Sequence, residues 1–507
     1  MHRIALSCTP RRRASGLLSR LKSTAVLEPI PTPEEIRSPL DAWAPCPSGK
    51  ERVVVLGTGW GGFNLVQEMT SKPGMIGTAL GRPAPNPNVA VTVISPANHF
   101  VFTPLLPSTA VGTLEFRSIQ EPVRSLEGIN YLQAKGRSID YDRQVVRCVG
   151  THTMSGMRTF EVPYDKLVIG VGVKTGTFGT TNVAEFEGKS VFFLKHLHHA
   201  RGIRLRTLEL FEIASYPSTC DKERRRLLSF VIVGAGPTSC EYASELHDFV
   251  QEDLSRVYPD LIKFMSITVI EAGEDILTPF DQSLRDYVKD LFANRSIEVR
   301  LRTAVKGIYA FKHLEYKQEG TKAILSDGTE LEYGLMVWSA GLAPTVFTEG
   351  LDSPDLWEKD RIARTAAGRI VTDEFLRVKG REGKVWAIGD CAEVEGKPLP
   401  QLAQVAQQQA RYLARVMGGR QGEEEKPWSY FTLGAMMSAG AFKGIYDGSL
   451  FGDPHGWNTS VARLSGVSAW AAWRGAYWAR QVSLKNKVLI PMYWIKAQLL
   501  GRDVSKF

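Results

Sequence analysis

The feature that most constrains this chain is a strand–glycine turn–helix signal that occurs twice. The first copy reads RVVVLGTGWGGFNLVQEM: an apolar run over 53–55 leads into Gly57, Gly59 and Gly62, and a helical pattern follows from Phe63. Each glycine of such a G-x-G-x-x-G turn has its own reason. The first permits a tight turn, the second lets a pyrophosphate approach the backbone, and the third lets helix pack on strand, so that the helix N-terminus faces the phosphates. The second copy, LLSFVIVGAGPTSCEYASEL, runs from a strand over 230–233 into Gly234 and Gly236, with Ser239 where a third glycine is usual. One glycine triplet is a weak signal. Two in strand–turn–helix context, 177 residues apart, predict two Rossmann-like dinucleotide-binding domains in an α/β chain.

The residue closing the second strand of each unit separates the two ligands. SITVIE ends at Glu271, whose carboxylate can accept from ribose hydroxyls and repels a 2′-phosphate. NADH is therefore expected over NADPH, although Glu271 lies further along than the usual spacing. NVAVTVIS ends at Ser95 with no acid nearby, which leaves FAD as the better candidate for the first loop. Three more strand-then-glycine segments recur, at 167–179, 335–344 and 384–393. In the last, a buried strand delivers Gly389–Asp390, whose carboxylate suits a ribityl hydroxyl of a flavin or, equally, caps a helix. Its return after the second unit implies that the NADH domain is inserted in the FAD domain.

Charge excludes an obvious alternative. The net +8 invites a nucleic-acid reading, but residues 1–27 carry +6 and residues 461–507 carry +7, leaving 28–460 at −5. An acidic body argues against an extended nucleic-acid groove. The acid-free, Arg- and Ser-rich start has the composition of a mitochondrial transit peptide, and 28–50 is a proline-rich linker. The six cysteines are scattered without a CxxC pair, so neither a metal site nor a redox dithiol is expected. No run of 18 apolar residues predicts a spanning helix.

With these residues assembled, the chain resembles the two-dinucleotide-domain flavoprotein reductases. Within them it is similar to the mitochondrial type II (alternative) NADH:quinone oxidoreductases. The carrying segments are GTGWGG at 57–62, ISPANHFVFTPLLPSTAVGTLEFRSIQEPVR at 94–124, VGAGPTSCEYASEL at 233–246, WAIGDCA at 386–392 and LPQLAQVAQQQARYLA at 399–414, together with the closing segment. The resemblance implies non-covalent FAD, NADH as hydride donor and ubiquinone as acceptor. It implies that Gly57, Gly59, Gly61 and Gly62 hold the FAD pyrophosphate and Asp390 the ribityl chain. Thr103, Pro104 and Ala403 would lie by the flavin, and Gly234, Gly236, Pro237, Glu241, Glu271 and Gly341 would line the NADH site. Gln404 and Gln408 would border the quinone pocket, while the role of Gln407 stays open. No EF-hand loop is present.

Read from the residues alone, Glu241 opens a helix, where an exposed acid would complement the dipole. Gln404 and Gln408 stand at i, i+4 and share a face, and their uncharged amides can hold a quinone carbonyl or simply coat a surface helix. In the closing segment Trp470, Trp473 and Tyr477 share one helical face and Val488, Met492, Ile495 and Leu499 another, with a break near 483–486 and Pro491 in the following first turn. With basic flanks, these stripes suit helices lying in an anionic membrane interface, packing against the body or a partner subunit being the alternative. The expected organisation is transit peptide 1–27, linker 28–50, FAD-binding 51–185 and 356–427, NADH-binding 186–355, and a membrane-anchoring, dimer-forming region 428–507. The expected location is the inner mitochondrial membrane, peripheral, on the matrix side. A ferredoxin reductase and an NADH-sensing flavoprotein of the apoptosis-inducing-factor kind remain alternatives.

Overall fold

The computed structural model describes residues 49–70, 86–152, 158–312, 319–351, 361–418, 426–448 and 463–505. The expected transit peptide and nearly all of the linker lie outside them. The first glycine turn follows the strand Glu51–Leu56, the centre of a five-stranded parallel sheet. Val89–Ile94 and Ile129–Leu132 flank it on one side, Lys166–Ile169 and Val385–Ala387 on the other. Val53, Val54 and Val55 are buried on both faces, so they read as an unbroken apolar run. Because Val385–Ala387 closes this sheet, the chain leaves the first unit and returns to it.

Between departure and return lies a second parallel sheet of the same design. Its order is Val191–Phe193, Leu335–Trp338, Ser229–Val233, Ser266–Ile270 and Ile297–Arg300. In both units an antiparallel three-stranded meander precedes the strand that pairs beside the glycine-turn strand: Ala134–Asp140, Val145–Gly150 and Thr159–Pro163 in the first, Val305–Lys312, Glu319–Leu325 and Glu330–Tyr333 in the second. A two-stranded ribbon, Val173–Thr175 with Leu342–Pro344, ties the units together. The binding crevice of such open sheets lies at the carboxyl ends of the strands, where the strand order reverses.

The last part of the chain is a small antiparallel sheet (Ala435–Ser438, Gly444–Asp447, Arg463–Gly466) and two helices, Val467–Ala479 and Leu484–Leu500. Two expectations change here. Pro491 is inside the second helix, not in its first turn. The aromatic face of the first helix is turned inward: Trp473 is buried, its ring 4.9 Å from that of Tyr477 and 6.3 Å from that of Trp494. Trp473, Ile490 and Trp494 belong to the main apolar core, continuous with both nucleotide units. Trp473 is buried against the ring of Trp494 and Tyr477 packs on that of Phe102, whereas the second stripe stays exposed. Among the described residues, no helix is long and apolar enough to cross a membrane.

Candidate functional site

At the first loop, Gly57 adopts φ +101°, and a Cβ there would stand 2.3 Å from the Gly170 carbonyl oxygen. A Cβ on Gly62 would stand 2.0 Å from the Gly57 oxygen, so the helix Trp60–Thr70 sits on the turn only because that position has no side chain. Gly61 packs against the Ile388 side chain, while Gly59 faces open space. The turn is therefore closed at its first and third glycines and open at its second, which is the shape a pyrophosphate requires. Ser95, closing the second strand, shares a 2.9 Å hydrogen bond with Thr58, and Tyr131 donates to the Ser95 and Ala97 carbonyls. Beyond it, Thr103 and Pro104 form a single 3-10 turn with Leu105, and the Trp60 indole donates to the Thr103 hydroxyl at 2.9 Å.

The second loop repeats this with different finishing. Gly234 has φ +97°, and a Cβ there would meet Ala340 at 2.9 Å, while Gly236 again faces open space. Pro237 is the first residue of the helix Pro237–Phe249, where its missing N–H costs nothing. Ser239, at the third-glycine position, is buried and hydrogen-bonds Ser339. Glu271 reaches back to the loop: its two oxygens accept from the Ala235 and Gly273 backbone N–H groups, both at 2.7 Å. A carboxylate has lone pairs to spare for ribose hydroxyls. Gly341, at φ +76°, lies beside Ala340 in the loop that covers Gly234.

Asp390 sits in a 3-10 turn, Gly389–Cys391, at the end of the returning strand, so it caps no long helix. Burial raises the pKa of its carboxyl, with Lys195 and Arg369 pulling the other way, and no hydrogen bond to that carboxylate comes from the described residues. A half-buried carboxylate with no donor among the described residues, beside an open glycine turn, fits a ribityl hydroxyl, so the residues present suit a flavin dinucleotide. Lys195, which the sequence reading missed, is itself lowered by burial, with Asp390 raising it.

The glutamine helix, Ala403–Met417, divides its amides among several neighbours. Gln409 accepts from the Gly389 N–H at 2.7 Å, and Gln401, just before the helix, donates to the Asp390 carbonyl at 2.9 Å. Gln407 donates to Asn64 at 3.0 Å. Gln404 and Gln408 do share a face, but their amides hold an extended strap. Gln408 accepts from the Phe431 N–H at 3.0 Å and donates to its carbonyl at 2.6 Å. Gln404 accepts from the Leu433 N–H at 3.0 Å and reaches the Gly434 carbonyl at 3.4 Å. The alternative of a solvent-coating polar face is therefore replaced by a backbone-binding one.

Glu241 is not the exposed helix-start acid that its position allows. It is buried, and one oxygen accepts from the Ser438 N–H and the Trp473 indole, both at 3.1 Å. Burial pushes its carboxyl up to about 8, those two hydrogen bonds opposing it. One turn on, Glu245 accepts from Ser108 and Thr113 at 2.8 Å, and Arg502 lies 3.9 Å away. Arg502 also pairs with Asp253 at 2.7 Å and Glu252 at 2.8 Å. No sequence motif announces these contacts; they join residues more than 130 positions apart.

Comparison with known proteins accounts for nearly the whole of this arrangement. The pyridine nucleotide-disulphide oxidoreductase family model matches residues 51–410, and the NDH2 C-terminal domain model matches 445–503. A probable NADH dehydrogenase of Dictyostelium discoideum is 39% identical over 90% of this chain and 91% of its own. An internal alternative NAD(P)H-ubiquinone oxidoreductase of Solanum tuberosum mitochondria is 35% identical over 90% and 88%. The chain belongs to the type II NADH dehydrogenases. A solved NDH2 of Plasmodium falciparum, 24% identical, superposes with a TM-score of 0.73 over 90% of this chain and 100% of that one, showing the shared fold. The four described cysteines, Cys148, Cys220, Cys240 and Cys391, are free thiols. As a type II dehydrogenase, the chain has a second unit inserted in the first and a C-terminal region built onto both.

Proposed function

We propose that this type II dehydrogenase oxidises NADH and passes the electrons through non-covalent FAD to ubiquinone at the inner mitochondrial membrane, without pumping protons. The observation that carries the reading is the pair of glycine cradles, alike in backbone and different in finish. Glu271 finishes the second for an unphosphorylated ribose, while Asp390 leaves a half-buried acceptor at the first. The relatives are named for NADH and ubiquinone and for mitochondria, which supports substrate, acceptor and compartment alike. FAD, when bound, supplies two-electron acceptance from a hydride and release to a quinone.

The chain's own part is placement and exclusion of water. Gly57, Gly59, Gly61 and Gly62 present the turn and helix N-terminus to one pyrophosphate, and Gly234, Gly236 and Pro237 present theirs to the other. Gln401 and Gln409 grip the turn that carries Asp390, so its carboxylate is fixed for the ribityl chain. Thr103, Pro104 and Ala403 border the flavin, Glu241 and Gly341 the NADH side. Gln404 and Gln408 shape the quinone side by holding the strap at 431–434.

Membrane contact is assigned to the second C-terminal helix alone. Leu484, Val488, Met492, Ile495 and Leu499 are between 51% and 78% exposed, and Arg480, Lys485 and Lys496 flank them at the surface. An apolar stripe with cationic edges suits the plane of an anionic bilayer interface, where a lipid-borne quinone is found. Changing Val488, Met492, Ile495 and Leu499 together to Ser is expected to release the protein from cardiolipin-containing vesicles in flotation, with its fold intact. The function is tested by steady-state NADH oxidation with ubiquinone, with and without lipid and with NADPH as control. Negligible quinone turnover overturns it.

A further inference from the structure

The loop that joins the interdomain ribbon to the second unit contains a conformational anomaly. Residues 177–180 form a β-turn closed by a 2.9 Å hydrogen bond from the Thr180 N–H to the Thr177 carbonyl. Both central residues are left-handed, Phe178 at φ +51° and Gly179 at φ +74°, the pattern of a type I′ turn. The first central position of such a turn belongs to Asn, Asp or Gly, because a bulky side chain there strains the backbone. Here it holds a phenylalanine whose side chain is 79% exposed, among the most exposed apolar residues of the protein.

The turn is held firmly on both sides, so the exposed ring is not a consequence of a loose loop. Trp338 donates its indole N–H to the Gly176 and Ala340 carbonyls, and the Gly176 N–H donates to the Gly341 carbonyl at 3.1 Å. On the far side Thr181 donates to the Lys306 carbonyl. The ring of Phe178 lies against Gly341: two of its carbons stand 2.7 Å from where a Cβ on Gly341 would be. Gly341 and Ala340 belong to the loop after Leu335–Trp338, and Ala340 covers Gly234, the first glycine of the second cradle. In a doubly wound sheet the dinucleotide lies across the carboxyl ends of the strands, so an adenosine ribose at Glu271 leaves the nicotinamide half toward the other side of the glycine turn, where the loop at 339–342 follows Leu335–Trp338.

We propose that Phe178 is a binding residue for the nicotinamide-ribose half of NADH, its ring forming an apolar wall that covers that half when the nucleotide lies on the second cradle. This rests on the reading that the second cradle takes NADH. A strained, exposed aromatic persists where the strain serves a ligand, and among the described residues this ring is left 79% exposed. An apolar wall at that end also keeps water from the hydride being transferred.

Phe178→Asn separates fold from function, because Asn is favoured at that turn position. In anaerobic titrations of the pre-reduced holoenzyme, which can bind NADH without accepting its hydride, this variant is expected to bind at least fivefold more weakly than wild type. Its thermal midpoint is expected to be unchanged or higher, its KM for NADH to rise more than its kcat falls, and Phe178→Tyr to restore most of the affinity. Normal NADH affinity in a folded Phe178→Asn overturns the assignment while leaving the cradle reading intact. A wild-type holoenzyme that binds no NADH overturns both.

Discussion

The two nucleotide units are the same device finished twice, and an offset of 177 residues aligns their glycine turns and the helices that follow. Gly57, Gly59 and Gly62 fall on Gly234, Gly236 and Ser239. Thr58, which bonds Ser95, falls on Ala235, whose N–H donates to Glu271. Further along each helix the parallel persists with a change of chemistry. Asn64, which accepts from Gln407 of the glutamine helix, falls on Glu241, which accepts from Trp473 of the C-terminal helix. Glu68, 3.4 Å from Arg411, falls on Glu245, 3.9 Å from Arg502. Each cradle helix thus grips a later part of the chain through the same two positions. At the earlier position the first helix uses a neutral amide and the second an ionisable acid, while at the later position both use a glutamate facing an arginine. What differs is therefore not the nucleotide turn itself but what is fastened behind it, and whether that fastening responds to pH.

The comparison breaks most visibly at the third glycine. Gly62→Val puts a branched side chain where even a Cβ would stand 2.0 Å from a backbone oxygen. Overpacking there should cost at least ~3 kcal/mol. The purified variant is expected to have lost its flavin absorbance and its cooperative melting transition. Retention of both would mean that the first helix is not seated as described.

A smaller effect is expected at the second cradle. Glu271→Ala removes the acceptor of two loop N–H groups and of the ribose, which should raise the KM for NADH about tenfold, or ~1.4 kcal/mol. NADPH oxidation should change little, so the preference between the two nucleotides narrows. An unchanged ratio in paired kinetics would remove Glu271 from the ribose.

The pH contrast between Asn64 and Glu241 sharpens the comparison further. Burial raises the Glu241 carboxyl from 4.5 to about 8, so between those values the folded chain holds a proton that the unfolded chain releases. Stability therefore falls as pH rises through that window. Glu241→Gln keeps an acceptor for Trp473 but does not titrate, so its thermal midpoint should fall less than that of wild type between pH 5 and pH 8. Parallel melting curves for the two proteins would show that Glu241 is ionised throughout.

The smallest effect belongs to Ser239→Gly. It deletes one hydroxyl and its bond to Ser339, offset by nothing but closer packing, and should cost about 1 kcal/mol. Urea denaturation of the flavin-loaded protein measures it. A loss as large as that of Gly62→Val would erase the distinction between the two cradles.

Much of this is legible in the amino-acid sequence. Local chemistry determined the glycine turns, the strands that feed them, the acid at Glu271, the Gly389–Asp390 turn and the insertion of one unit in the other. All of these depend on residues adjacent in sequence, where steric rules act without knowledge of the rest. The structure reassigned what depends on distant partners. A helical face of Trp470, Trp473 and Tyr477 reads as a membrane stripe until Glu241 of the body and Trp494 of the neighbouring helix meet it. An i, i+4 glutamine pair reads as ligand-binding or solvent-facing until a strap arrives to occupy both amides. Periodicity tells which residues share a face. Only tertiary contact decides what that face meets, because burial energy and hydrogen-bond satisfaction are properties of both surfaces, and a sequence lists one at a time.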